Sequence, residues 1–245
     1  MIGVGQASDG VVVVTLDDGK VNVLDLAALA ELTEAFHGLR DCAVVLTGAG
    51  RAFCAGVDLR PVVEQGRGYV EKFLPALDEM FLAVFDHPRP VVAAVNGHAL
   101  AGGAVLALAA DRRLMSGGTI GVTELAVGVP FPPTAFETVR MVAGHRTADL
   151  MLAARRLDPE EALAVGLVDE LVAPVELVEL AVAAAVQLAA IPVGTFAATK
   201  HQLRGEARAR IERDTAVQRA GLIDAWSGEP VQAAIRGYLE SLTRR

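Results

Sequence analysis

Glu124 lies in Gly121-Val122-Thr123-Glu124-Leu125-Ala126-Val127-Gly128-Val129-Pro130, one acid among apolar residues. A carboxylate in a desolvated cleft gains basicity, which suits it to moving protons on and off carbon. The same letters also fit a solvent-facing loop carboxylate or a helix cap. Two glycine-bearing turns upstream supply the complementary chemistry. Arg51-Ala52-Phe53-Cys54-Ala55-Gly56-Val57-Asp58-Leu59 follows a β-branched run, and Asn96-Gly97-His98-Ala99-Leu100-Ala101-Gly102-Gly103 leads into an alanine-rich segment. Backbone N–H groups left unpaired in such turns can point at a developing oxyanion, and Gly56 lets the backbone approach a ligand closely. A helix opening near Gly102 adds its positive end. Each turn alone reads equally well as an ordinary strand-to-helix connection or as close packing. Pairing the two would make an oxyanion hole.

Competing chemistries do not assemble. Glu137 stands among Ala135, Phe136, Thr138 and Val139 with Arg140 three residues on, which predicts a paired surface acid on a helix. His37, His87, His98, His145 and His201 are scattered without metal-ligand spacing, so no metal site is expected. Cys54, flanked by Phe53 and Ala55, reads as a buried thiol. Gly48-Ala49-Gly50 lacks the third glycine of a dinucleotide-binding fingerprint, and there is no phosphate-loop or nucleophile-elbow sequence.

The elements that must position these groups follow from periodicity. Val11–Leu16, Ala43–Thr47 and Val91–Val95 read as strands, as do Asp111–Met115, Thr119–Gly121 and Gly166–Val172. Leu26, Leu29, Leu32 and Phe36 recur at helical spacing behind a capping Asp25, and a long helix is predicted over Glu71–Phe85. Ala104–Ala110 suits a short buried helix. Asp158-Pro159-Glu160-Glu161 supplies an N-cap, Pro at N1 and an acid at N3, a specific helix start. From Val175 the chain is almost all helix, with a break near Ser227–Pro230. The uncharged stretch Leu180–Thr199 carries Gln187, Pro192 and Gly194, and reads as two buried helix pieces broken near Pro192, not as a membrane span. This alternation predicts an α/β core over 1–190 and a C-terminal helical region over 191–245.

Composition agrees with one sizeable core. The 245 residues are 53% apolar and 21% charged, and size scaling predicts a folded surface of about 10,000 Å². A net charge of −8 opposes a protein-wide nucleic-acid footprint. Two cysteines make no disulfide framework, and the N-terminus lacks a secretory pattern, so a cytoplasmic location is expected.

The turns and Glu124 together resemble the crotonase family, the enoyl-CoA hydratase/isomerase superfamily, along nearly the whole chain. Phe53–Leu59 resembles its first oxyanion segment, and Ala93–Gly97 with Ala101-Gly102-Gly103 and Ala109-Ala110-Asp111 resembles its second. Glu161-Ala162 and Gly166–Asp169 match a late signature. The resemblance implies a spiral of ββα repeats, a C-terminal helical region used in assembly and acyl-site closure, and a homotrimer or dimer of trimers. It also implies an acyl-CoA thioester as substrate, with no cofactor beyond the coenzyme A that the substrate carries. The thioester oxygen would be held by the N–H groups of Val57 and Gly102, with Ala55, Gly56, Asp58 and Gly103 beside them and Glu124 as the catalytic acid/base. Arg51, Arg60 and Lys200 are the basic candidates for the coenzyme A phosphates. Phe73, Leu77, Met80 and Phe81 would either line an acyl tunnel or pack a helix.

One position departs from the hydratase pattern. Where typical hydratases carry a glutamate at the start of the buried helix, this chain has Val105, and the later acid survives as Glu124. That combination resembles the Δ3,Δ2-enoyl-CoA isomerase branch. Moving a double bond needs one base at C2 and C4, whereas adding water needs a positioned water as well. The alternatives are an enoyl-CoA hydratase or another crotonase-type acyl-CoA enzyme, and a non-catalytic scaffold or RNA-binding member.

Overall fold

Valine-rich alternation builds the sheet on which the rest is laid. The computed structural model describes residues 2–7 and 10–243. Strand β1 (Ile2–Gln6) pairs antiparallel with β2 (Val11–Leu16), and the chain then repeats a strand, a shorter strand and helix. The first repeat runs through β2, β3 (Val23–Leu24) and α1 (Leu26–Gly38). The second contains β4 (Ala43–Gly48), β5 (Ala52–Cys54), β6 (Gly56–Val57), α2 (Arg60–Gln65) and α3 (Arg67–Phe85). The third is β7 (Val91–Val95), β8 (His98–Leu100) and α4 (Gly102–Leu108), and the fourth β9 (Arg112–Met115), β10 (Ile120–Gly121) and α5 (Glu124–Val127). Helices α6 (Pro133–Ala143), α7 (Thr147–Leu152) and α8 (Pro159–Ala164) precede β11 (Glu170–Leu171), and α9 (Leu177–Ala189), α10 (Val193–Ser227) and α11 (Glu229–Thr243) finish the chain.

Stacking of the repeats gives the spiral. The leading strands lie side by side in a six-stranded sheet of order β1-β2-β4-β7-β9-β11, parallel after the first pair. The trailing strands form a second sheet, β10-β8-β5, with β3 paired to β6. Parallel strands need both faces covered, and the sequence alternates accordingly. Val44, Leu46, Val91, Ala93 and Val95 face the main core under α1, α3 and α4, while Ala43, Val45, Val92 and Ala94 face α9 through Leu177, Ala181, Ala184 and Ala185. The exposed surface is 10966 Å², close to the size expectation.

Several local expectations change. The trailing strands β5, β6 and β8 occupy segments read as turns, because two- and three-residue strands of Ala, Gly, Cys and His carry no periodic signal. The strand expected over Gly166–Val172 shrinks to Glu170–Leu171. Gly166 adopts φ +79° and Leu167 donates its N–H back to Ala162 O at 2.9 Å, so the first residues close helix α8 instead. The long helix begins at Arg67, earlier than Glu71. The α9–α10 break falls at Pro192 with a bend of 101°, but only one face of α9 is buried there, through Ala181, Ala184 and Ala185; Ile191 and Val193 are 39% and 53% exposed. No single helix among the described residues is long and apolar enough to cross a membrane, and the bent pair meets that test only by length and composition.

Candidate active site

The two donor turns meet because their backbones pack without side chains between them. A Cβ on Gly103 would stand 2.1 Å from Cys54 O, so only glycine allows the second turn to lie on the first. Gly56 adopts φ +97°, and a Cβ there would meet Leu100 O at 2.8 Å. Asn96 bridges the bases of the turns, accepting from the Gly48 N–H at 3.1 Å and donating to Gly50 O at 3.0 Å. Asn22 adds a second tie, donating through Nδ2 to Ala49 O and Ala52 O at 3.0 and 2.8 Å. Asn96 opens the second turn in the sequence, but Asn22 has no sequence signal; only a count of which buried carbonyls need donors would have pointed to it.

Ala101 is the strained hinge of the second turn. It holds φ +49° and ψ −123°, a region that costs a residue with a Cβ about 1–3 kcal/mol. Its N–H is pinned to Gly121 O at 2.8 Å. The next residue, Gly102, opens α4, so its N–H has no acceptor within its own helix. A Cβ on Gly102 would be 3.3 Å from Val57 Cγ1, which sets the two proposed donor residues side by side.

Glu124 faces the same space. A cavity of about 70 Å³ is lined by Ala55, Val57 and Leu59 from the first turn, Leu100, Ala101 and Gly102 from the second, and Thr123, Glu124, Val127 and Val129 from the α5 loop. Leu77, Phe81, Pro132, Ala135, Arg156, Trp226 and Tyr238 complete it, and Glu124 is the one carboxylic acid in the lining. Glu124 is 8% exposed, and its Oε2 has no hydrogen-bond partner. Burial pushes its carboxyl up to about 8, against a smaller opposing effect of its own backbone N–H. An unpartnered buried carboxyl is costly to fold, and this one borders the donor turns. Val105 is fully buried in the main core and does not line the cavity.

An outer groove of about 490 Å³ adjoins the cavity through Ala55, Leu100 and Arg156 and brings Arg51 and His98 alongside. His98 Nδ1 lies 3.2 Å from the Thr119 backbone nitrogen and 3.0 Å from Thr119 Oγ1. The basic candidates therefore separate. Arg51 lines this groove, whereas Arg60 forms a two-point pair with Asp58 at 2.7 and 2.9 Å and, like Asp58, lines neither space. Burial alone would raise the Asp58 carboxyl, but Arg60 holds it below its ordinary value. Lys200 lies elsewhere, 2.7 Å from Asp111 in a buried cluster. Arg156 has no sequence signal; it reaches the groove because Leu157 pairs with Ile120 beside the α5 loop.

The rival acid is also located. Glu137 is paired as expected, with Arg210 at 2.7 Å and Arg140 at 3.3 Å, but it is buried and not on the surface, because α10 brings Arg210 over α6. Cys54 is fully buried, and burial pushes its thiol up to about 12, which removes it as a nucleophile. Among the described residues no group of three or more His, Cys, Asp or Glu is gathered to hold a metal. A larger cavity of about 750 Å³ lined from α1, α3 and α10 contains neither glycine turn nor Glu124.

Residues 6–244 match the family profile described as enoyl-CoA hydratase/isomerase. The chain belongs to that family. The hydratase/isomerase relatives carry both activities in their names. A Thermus thermophilus protein provisionally named an enoyl-CoA hydratase is 37% identical over 88% of this chain and 85% of its own length. Human enoyl-CoA delta isomerase 1, named as mitochondrial, is 30% identical over 97% of this chain and 82% of its own. The crystal structure of human mitochondrial Δ3-Δ2-enoyl-CoA isomerase superposes with a TM-score of 0.93 at 27% identity, covering 99% of this chain and 98% of that one. The spiral of repeats is thus the crotonase fold, and the family's enzymes act on enoyl-CoA.

Proposed function

We propose that this protein is an enoyl-CoA isomerase that shifts a double bond from position 3 to position 2 of an acyl-CoA. The observation that carries this reading is a single carboxylic acid, Glu124, in a mostly apolar cavity beside both donor turns. The Glu124 carboxylate removes the acidic C2 proton. The electron pair moves onto the thioester oxygen, where the Val57 and Gly102 N–H groups hold the dienolate. Protonated Glu124 then delivers the same proton to C4, the electron pair returns, and the double bond ends between C2 and C3. A carboxyl raised to about 8 suits both halves of that transfer, being able to hold the proton between them.

Hydration is the second reading, favoured by the names of relatives such as the Thermus protein. It requires a water held in line with a base. The cavity lining holds no second acid, and the position that would supply one in the hydratase pattern is the buried Val105. Arg51 and Arg156 are the groove residues suited to the coenzyme A phosphates, in place of Arg60 and Lys200. Assembly as a homotrimer or dimer of trimers belongs to the same proposal. Incubating the protein separately with a 3-enoyl-CoA and a 2-enoyl-CoA decides the chemistry. Conversion of the first to an isobaric, ultraviolet-absorbing product is expected. Gain of one water by the second, with no isomerisation of the first, would move the assignment to hydratase.

A further inference from the structure

The inner cavity has a floor. Its volume of about 70 Å³ is far below the ~300–1,000 Å³ of sites that enclose larger ligands. The wall away from the groove is made by Leu77, Phe81, Val129, Ala135 and Trp226, all between 1% and 3% exposed. Phe73 stands against the Trp226 indole with ring centroids 6.2 Å apart, and Tyr69 stacks on Phe73 at 5.4 Å.

Trp226 is also fastened in place. Its Nε1–H donates to Pro130 O at 3.1 Å, which ties the indole to the loop that follows Glu124. Its carbonyl accepts from Gln232 Nε2 at 2.8 Å, and that amide reaches Val62 O at 3.4 Å, so α11 and α2 brace the same residue. Swinging the ring aside would break the Pro130 bond and leave a buried indole N–H unpaired.

We infer that Trp226 is a chain-length stop that restricts the protein to acyl-CoA thioesters with short acyl chains, of about four to six carbons. The inference rests on the reading of this cavity as the acyl site of an enoyl-CoA isomerase. A longer chain meets Trp226, backed by the tilted Phe73 ring, and must displace packed core side chains.

Two measurements separate the inference from the reading beneath it. The first is kcat/KM on straight-chain 3-enoyl-CoA substrates of four to twelve carbons. The second is calorimetric affinity for saturated butyryl-CoA through decanoyl-CoA, which reads acyl length without turnover. Both are expected to fall at least about tenfold between four and ten carbons. Trp226→Ala should raise the ten-to-four-carbon ratio at least about tenfold. Because removing a buried tryptophan can impair folding, Leu77→Ala and Trp226→Phe open the same floor more gently and should raise the ratio by a smaller factor. Decanoyl-CoA binding as tightly as butyryl-CoA in the wild type, or ratios unmoved in the folded variants, would overturn the stop whether or not isomerisation is seen. Length-dependent binding without turnover at any length would leave the stop standing and remove the isomerase reading.

Discussion

Two buried charged regions of this protein have opposite construction. At the junction of β9, α3 and α10, Asp111 meets Lys200 at 2.7 Å and Arg204 at 2.8 Å, and also accepts the Val91 N–H at 2.8 Å. Arg204 donates further to Phe85 O and Ala109 O and lies 4.4 Å over the Phe85 ring. Burial pulls the Lys200 ammonium down to about 8, with Asp111 opposing it. In the cavity, Glu124 is comparably buried but has no ionic partner, and its Oε2 accepts nothing. A buried charge that is paired and hydrogen-bonded acts as a fastener, here between α10 and the sheet. An unpaired carboxyl destabilises the fold when ionised and is free to exchange a proton with whatever enters.

The largest expected break in that contrast is Asp111→Asn. It leaves Lys200 and Arg204 buried without their counter-charge and should cost about 3–5 kcal/mol in denaturant unfolding, with any loss of turnover following loss of fold. Glu124→Gln should behave in the opposite way: kcat on a 3-enoyl-CoA falls at least about 100-fold, or about 2.7 kcal/mol, while the fold is retained with an unfolding midpoint at neutral pH no lower than that of the wild type. Undiminished isomerisation by folded E124Q would remove Glu124 from the mechanism.

The pH dependence sharpens the comparison further. As a base, Glu124 must be ionised, so kcat/KM should climb about tenfold per pH unit below its raised value and level off above about 8. Stability should run the other way. The unfolded glutamate gives up its proton near its ordinary 4.5, whereas the folded one retains it to about 8. The folded state therefore binds more protons between those values, and its stability declines as pH rises through that window before flattening. Comparing thermal unfolding of wild type and E124Q across pH 4 to 9 isolates this contribution, because only the wild type should show it. A constant difference between the two proteins across that range would contradict the raised carboxyl.

What could be read in advance was local or periodic. Asp158-Pro159-Glu160-Glu161 predicts its own helix start, and the structure has the full capping box, with Glu161 N–H to Asp158 at 2.8 Å and Asp158 N–H to Glu161 at 3.3 Å. Asp25 likewise caps α1 by accepting the Ala28 N–H at 2.8 Å. Val91–Val95 has the same bounds in sequence and structure, since a β-branched run between prolines and a glycine turn has few other options. The composition of the two turns and the isolation of Glu124 among apolar residues were also visible, because small residues and a lone acid keep their character in any fold.

Tertiary structure decided which of these residues share a space. Lys200 meets Asp111 across 89 residues of chain, and Arg210 covers Glu137 across 73. No local pattern distinguishes those cations from Arg51 or Arg156, which reach the groove instead. Nor does the sequence around Trp226 reveal that its indole would close a cavity begun at Val57, Gly102 and Glu124. Capping, turn formation and strand alternation are energies of neighbours along the chain, so sequence alone specifies them. The partner of a buried charge and the depth of a cavity depend on how distant segments pack, and that is fixed only when the repeats stack and α10 and α11 fold back across them.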